Sequence, residues 1–278
     1  MIILNFNMLY NSETLEKEDQ LVERGIFNLR GKVALVTGGG SGLGRAYCEG
    51  MAEFGADVAC CDIVEERAQE TAEIIRKYGH RAVALTSDVS KPDEIEAMVN
   101  RTVSELGSLE IVFANAGINE KTTDKRIHEK PIEDWDHTMD VNLRSVFLLM
   151  RAVFPHMIKK NYGSFVTTSS VGGLWPVSIP MAGVYATSKA GVIMLTKVAA
   201  RQYAEDGIRV NAICPGYHRT SLHAEELRPD IEKAVLGRMP MKKIAMPSDI
   251  KGLAVWLASD ASCFVTGQIF IQDGGEFA

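Results

Sequence analysis

A β-branched apolar run that ends in a cluster of glycines restricts the fold of this chain more than any other segment. Lys32-Val33-Ala34-Leu35-Val36-Thr37 reads as a buried strand, Gly38-Gly39-Gly40-Ser41-Gly42-Leu43-Gly44 follows, and a helical pattern runs from Arg45 to about Phe54. Strand, glycine turn and helix start in that order build a phosphate site. Glycines let the backbone approach an anion closely, and free N–H groups at the helix terminus face it. Taken alone, the run has the lesser alternative of a glycine-rich surface turn.

Strand-like runs near residues 33–37, 57–62, 82–87, 110–115, 163–169, 208–213 and 268–272 alternate with helical segments over most of the chain. Such alternation predicts a parallel α/β sheet covered on both faces, with right-handed crossovers. The 278 residues, 46% of them hydrophobic, suffice for one sizeable core without a second domain. A net charge of −6 argues against nucleic acid as a partner, because phosphate binding wants a basic stripe. Of the five cysteines, Cys48, Cys60, Cys61, Cys214 and Cys263, four fall in apolar segments without metal-ligand spacing, which predicts reduced, buried thiols in a cytoplasmic protein and no metal site. Met1–Tyr10 is apolar but short, lacks a basic start and leads into an acidic stretch, so no signal peptide is read. No uninterrupted run approaches the ~18 apolar residues needed to span a bilayer.

The second informative segment is Val184-Tyr185-Ala186-Thr187-Ser188-Lys189, which sets a phenol and an ammonium four residues apart in a helix-like run. Both then lie on one helix face. A tyrosine ordinarily titrates near pH ~10, and an adjacent cation favours its phenolate, so Tyr185 is a candidate to exchange protons with an alcohol. Pairs of this spacing also arise on ordinary surface helices.

The glycine turn has the spacing T-G-x-x-x-G-x-G, and other pieces follow it in order. They are Asp62, Asp88-Val89, Asn115-Ala116-Gly117, Asn142, Ser169-Ser170-Val171, the Y-x-x-x-K pair, Pro215-Gly216 and Asp273-Gly274-Gly275. Together they resemble the classical branch of the short-chain dehydrogenase/reductase family over about residues 28–276. That resemblance implies one doubly wound Rossmann-type domain with a seven-stranded sheet in the order 3-2-1-4-5-6-7. Residues 27–278 form the domain, and residues 1–26 form an extension ahead of it. The extension suits a helix on the surface or on a neighbouring subunit as well as it suits a solvated tail.

The resemblance also implies roles. Tyr185 is the general acid/base, Lys189 tunes it and binds the nicotinamide ribose, Ser170 bonds the substrate oxygen, and Asn142 holds a water that links Lys189 to solvent. Ser169 is the alternative to Ser170 in register, and Asn142 has the alternative of capping or kinking its helix. The implied cofactor contacts are Gly38, Ser41, Gly42, Leu43 and Gly44 in the turn, Asp62, Asp88 with Val89, Asn115, Ala116 and Gly117, and, after the sixth strand, Pro215, Gly216, His218 and Thr220. Asp88 and Asn115 also fit local turn chemistry. His218 stands where the family commonly has an aliphatic residue. Ser170 and Tyr185 are two residues further apart than in many relatives, which enlarges a loop within Leu174–Gly183, a stretch containing Pro176 and Pro180.

Charge favours NAD over NADP. A 2′-phosphate beside the Asp62 carboxylate at ~4 Å costs on the order of 1 kcal/mol per charge pair in water and about 4 at intermediate dielectric. Neither Ser41 nor Ile63-Val64 supplies the basic residue of the family's NADP users, although Arg67 is a nearby cation. Pocket walls are expected from Gly172–Val177 with Trp175, from the polar loop Asn119–Lys130, and from a lid-like segment Tyr217–Met241 carrying His218, Arg219, His223 and Arg228. The charges of that loop, such as Lys121, Asp124, Lys125 and Arg126, also suit plain solvation.

The leading expectation is an NAD-dependent oxidoreductase of a secondary alcohol or ketone, with a faint likeness to the sugar-acid and polyol dehydrogenases of the family. The alternatives are a 3-ketoacyl-thioester reductase of lipid metabolism and a non-catalytic NAD-binding scaffold. The implied partners are a small-molecule alcohol or ketone and further copies of the chain, with no membrane. Leu143–Phe154 and Val184–Ala200 supply a four-helix contact and Phe264–Phe277 a second, giving a homotetramer.

Overall fold

The computed structural model describes residues 25–122, 125–176, 183–220, 222 and 229–278. Expectations for the amino-terminal extension before Gly25, for Asp124, for the middle of the enlarged loop with Pro180, and for His223 and Arg228 lie outside the described residues.

Seven parallel strands form one sheet. They are β1 (Val33–Thr37), β2 (Asp57–Asp62), β3 (Ala82–Thr86), β4 (Ile111–Ala114), β5 (Gly163–Thr168), β6 (Ile208–Pro215) and β7 (Ile269–Gln272). Their order is β3-β2-β1-β4-β5-β6-β7, as the resemblance implies. The order reverses between β1 and β4, whose registers pair Val36 with Phe113 on one side and Val36 with Cys60 on the other. At such a reversal the connecting helices diverge to opposite faces and leave a crevice at the carboxyl ends of the strands.

Burial explains why the strands read as continuous apolar runs rather than alternating ones. Val33 and Leu35 of β1 face a core layer with Leu85, Leu149, Phe154 and Phe165, whereas Ala34 and Val36 face a second layer with Tyr47, Met51, Phe113 and Val255. A strand covered on both faces has no polar side to show. The helices are α1 (Gly42–Glu53), α2 (Glu65–Lys77), α3 (Pro92–Leu106), α4 (Ile132–Met139), α5 (Ser145–Lys160), α6 (Gly183–Tyr203), α7 (Pro229–Arg238) and α8 (Lys251–Ala258), of which α3, α5 and α6 fill the first layer and α1, α2 and α8 the second.

Helices α4 and α5 are joined by a π-helical turn, Asp140–Arg144, into one element. By length and composition this stretch, residues 132–160, is apolar enough to cross a membrane, a feature that a search for uninterrupted apolar runs does not register. Half of its most apolar window is buried in the fold. Val146, Leu149, Val153, Phe154 and Met157 belong to the core layer described above, so core packing accounts for that apolarity.

Candidate active site

The glycine turn after β1 holds a tight conformation. Gly38 and Gly42 have φ of 63° and 52°, the left-handed region that favours glycine. A Cβ on Gly44 would stand 2.0 Å from the Gly38 carbonyl oxygen, so only glycine lets α1 begin this close to the turn. Ser41 at the N-cap makes no side-chain cap bond, which leaves the first-turn N–H groups of α1 available to an anion. Arg45 braces the turn from behind, its guanidinium donating to the Gly40 carbonyl at 2.7 and 3.1 Å. The cradle therefore fits a pyrophosphate.

Asp62 is buried at the end of β2. One carboxylate oxygen accepts from the Gly40 N–H (2.9 Å) and the other from the Val64 N–H (3.0 Å). Each oxygen keeps a second acceptor position at the cleft wall, which suits ribose hydroxyls. Arg67 is exposed beside it and lines the same end. Asn115 ties β4 to the turn by donating to the carbonyls of Thr37 (3.0 Å) and Gly38 (3.3 Å), while its own N–H and that of Ala116 donate to the Thr37 hydroxyl. Asp88 accepts from the N–H and hydroxyl of Ser90. Burial pushes its carboxyl upward, but these bonds and the nearby Lys91 outweigh it and hold the group below the usual range. Asp88 thus performs local turn chemistry and also lines the cleft.

At the other end Tyr185 sits in the first turn of α6, and the Lys189 ammonium lies 5.7 Å from its ring centroid. Lys189 is buried and donates to the Thr168 carbonyl at 2.9 Å. Desolvation lowers its pKa to about 8, slightly opposed by Cys214, so the amine is still mainly charged at neutral pH. A Cβ on Gly117 would stand 3.2 Å from both the Lys189 Nζ and the Asn142 Oδ1, so the glycine keeps a small polar space open between them.

Asn142 lies within the π-helical turn, fully buried. Its Oδ1 accepts from the Ile118 N–H (2.8 Å), and its amide donates to the Ile118 carbonyl (2.9 Å) and the Ser188 hydroxyl (3.1 Å). A helix irregularity and an inter-element clasp therefore coincide at one residue. The adjacent serines differ. Ser169 is buried and donates to the Lys189 carbonyl (2.8 Å), whereas Ser170 is half-buried and accepts from the Gly172 N–H (3.0 Å) as it starts a short 3-10 turn.

After β6 the chain closes over the glycine turn. A Cβ on Gly42 would touch the Thr220 side chain at 3.2 Å. His218 is buried, with its Nδ1 3.0 Å from the Gly216 carbonyl oxygen, and its backbone bridges to Ala245. The imidazole thus occupies a packed position near Gly216.

One cleft of about 550 Å³ is lined by all the sequence-derived site residues except Asn142, which stands behind its wall. Residues that sequence reasoning did not assign also line it, among them Ile63, Ser87, Ile118, His137, Val141, Thr168 and Leu222. Thr37 and Arg45 shape it from outside. Only Thr37 carried a sequence signal, as the first letter of the glycine motif.

A family model described as enoyl-(acyl carrier protein) reductase matches residues 38–276. A solved short-chain type dehydrogenase/reductase from Mycobacterium marinum superposes with a TM-score of 0.87 at 33% identity, covering 91% of this chain and 98% of that one. The chain belongs to the short-chain dehydrogenase/reductase family. Among characterised members of the family it is 38% identical to 2-dehydro-3-deoxy-D-gluconate 5-dehydrogenase of Escherichia coli (strain K12), over 91% of this chain and 98% of the relative. It is 36% identical to the 3-oxoacyl-[acyl-carrier-protein] reductase of Thermotoga maritima, over 89% and 98%. Dehydrogenases of this family act on CH–OH groups and use nicotinamide cofactors.

Proposed function

We propose that the chain is an NAD-dependent dehydrogenase or ketone reductase of secondary alcohols, with sugar acids and polyols as the first substrate class to test. The observation that carries this reading is the placement of Tyr185, Lys189 and Ser170 in the same cleft as a glycine turn that suits a pyrophosphate. The sugar-acid class draws support from the 38% identical gluconate-type relative.

When bound, the nicotinamide supplies the two-electron acceptor or donor. The glycine turn and the start of α1 would hold the pyrophosphate, Asp62 the adenosine ribose, Asp88 and Val89 the adenine end, and Pro215–Thr220 the carboxamide end. Tyr185 takes the alcohol proton in oxidation and returns it in reduction, because the Lys189 charge beside it favours the phenolate. Ser170 donates a hydrogen bond to the reacting oxygen and steadies charge as it develops. Ser169 is committed to the Lys189 carbonyl, which favours Ser170 for that task. Asn142 and Lys189 border the space beneath Gly117, which suits a water that would pass the proton onward to solvent.

The preference for NAD is inferred from the Asp62 carboxylate, which would repel a 2′-phosphate bound beside it; Arg67 is the opposing cation. A reading as 3-ketoacyl-thioester reductase is favoured by the Thermotoga relative, and Asp62 weighs against it. Retention of both Tyr185 and Lys189 speaks against a non-catalytic scaffold.

A homotetramer is part of this reading. The α5 and α6 faces form an apolar groove with Leu143, Phe147, Met194 and Val198, of which Phe147, Met194 and Val198 are exposed. Five free cysteines fit a reducing cytoplasm, and this reading keeps residues 1–26 as an extension ahead of the catalytic domain. The test is nicotinamide absorbance on a panel of sugar acids, polyols, cyclic alcohols and ketoacyl thioesters with each dinucleotide. Turnover with NAD on an alcohol is expected, and Asp62→Asn should narrow the NAD preference. Activity confined to ketoacyl thioesters with NADPH would overturn the reading.

A further inference from the structure

The loop after β4 holds an ion pair that the chemistry above does not use. Glu120 and Lys130 pair with side chains 0% and 6% exposed, inside a segment whose other described charges, Lys121, Lys125, Arg126 and Glu129, are exposed. The Lys130 ammonium also donates to the Thr122 carbonyl at 2.5 Å. The second Glu120 oxygen reaches out of the loop and accepts from the backbone N–H of Tyr185 at 2.8 Å.

That N–H belongs to the first turn of α6, where helix donors have no partner within the helix. A carboxylate there also meets the positive end of the helix dipole. The Tyr185 carbonyl is gripped as well, by the Ser188 hydroxyl at 2.7 Å, which in turn accepts from the Asn142 amide. Both polar backbone groups of this residue are therefore tied to named side chains. The loop end is anchored independently, since Asp134 of α4 accepts from the N–H groups of Lys121 and Thr122, each at 3.0 Å. An aliphatic carbon of Lys130 comes within 3.9 Å of the Cβ position of Gly183, the first residue of α6.

We propose that Glu120 is a positioning residue for Tyr185: its carboxylate, locked by Lys130, caps the first turn of α6 from the neighbouring loop and fixes how far the phenol reaches into the cleft. This rests on the reading of Tyr185 as the proton-exchanging group. An ion pair suits the task better than a neutral cap. A buried carboxylate without its cation would be costly, so Lys130 holds the acceptor in one place. The pair adds no net charge beside the phenol.

The test compares Glu120→Ala, Glu120→Gln and Lys130→Met, each assayed well below its melting temperature. The glutamine keeps an acceptor for the Tyr185 N–H and loses only the ion pair. Glu120→Ala is expected to lower kcat by at least about tenfold, because small displacements of a reacting group are costly. NADH affinity should stay within about twofold, the pattern of a loss confined to the chemical step. Glu120→Gln should recover most of kcat, and Lys130→Met should fall between the two. A readout without substrate is the ring resonance of Tyr185 in protein labelled with [ζ-13C]tyrosine, assigned by its loss in Tyr185→Phe. That resonance should move in Glu120→Ala and return towards its original position in Glu120→Gln. An unmoved resonance in Glu120→Ala, or a Glu120→Gln variant as impaired as the alanine, overturns the proposal. If the wild-type protein oxidises none of the alcohols, the functional reading fails while the resonance still decides the positioning role.

Discussion

At the nucleotide end of the cleft the wall is backbone: a glycine turn, the start of α1 and the ends of β1, β2 and β4, with Asp62 and Asn115 fastened to peptide groups. At the substrate end the wall is side chains. Tyr185, Lys189 and Asn142 are held by hydrogen bonds with Glu120, Thr168, Ile118 and Ser188, drawn from three separate stretches of chain. The first end binds a ligand of fixed shape and depends on what is missing, namely Cβ atoms. The second, in the proposed reading, performs proton transfer and depends on what is buried, including an amine whose charge is kept out of water. Substitutions at the two ends should therefore fail differently, one by losing binding and the other by losing turnover.

The sharpest break at the nucleotide end is Gly44→Ala. Its Cβ would stand 2.0 Å from a backbone oxygen that cannot rotate away, so the helix must shift. Overpacking of this kind costs about 1–3 kcal/mol, and more where backbone must move. Titration of NADH by fluorescence should show binding abolished, with a lower melting temperature. Retained NADH affinity would mean that the turn adapts and that the contrast between the ends is overstated.

At the substrate end Lys189→Met should separate activity from stability in the opposite sense. The buried amine has its pKa lowered to about 8 from 10.5. Below pH about 8 it is charged in both folded and unfolded chains, and the folded protein bears the full desolvation cost. Between about 8 and 10.5 the unfolded chain holds the proton and the folded one does not, so wild-type stability rises with pH across that window. Above it the cost is gone. Methionine is therefore expected to gain roughly 1–3 kcal/mol at pH 7 while losing turnover, with the gain vanishing towards pH 10.5. Calorimetry at pH 7 and pH 10 measures it; a destabilised variant at pH 7 would show that the Thr168 bond outweighs the desolvation.

The smallest effect belongs to Asn115→Ala. It removes two donors from the Thr37 and Gly38 carbonyls, at about 1–2 kcal/mol, and should weaken NADH binding severalfold with kcat unchanged. A fall in kcat without a change in NADH affinity would place this residue with the substrate end instead.

The same contrast explains what could be read before any coordinates. The glycine turn and the doubly buried strands announce themselves because local backbone geometry and burial on two faces restrict residue type directly. Asp62 was legible for a related reason, since a carboxylate closing an apolar strand is conspicuous. The environment of Tyr185 was less so. Nothing in Asn119–Lys130 distinguishes Glu120 and Lys130 from Lys121, Lys125 and Arg126; whether a loop charge is solvated or buried is decided by tertiary neighbours. Asn142 was recognised by motif, but its clasp on Ile118 and its seat in a π-helical turn depend on how α4 and α5 meet the strand ends. The faces of α5 and α6 around Phe147 and Met194 read as ordinary apolar stripes, and only packing showed which residues stay exposed.

Tyr185→Phe removes one oxygen, leaves the ring, and so isolates the phenol on which the proposed chemistry depends. Turnover of the best alcohol should fall by about 10²–10⁴-fold, the usual contribution of a positioned acid/base, while the NADH dissociation constant stays where it was. Turnover within a few-fold of wild type, with NADH still bound, would contradict the assignment of the proton to this phenol.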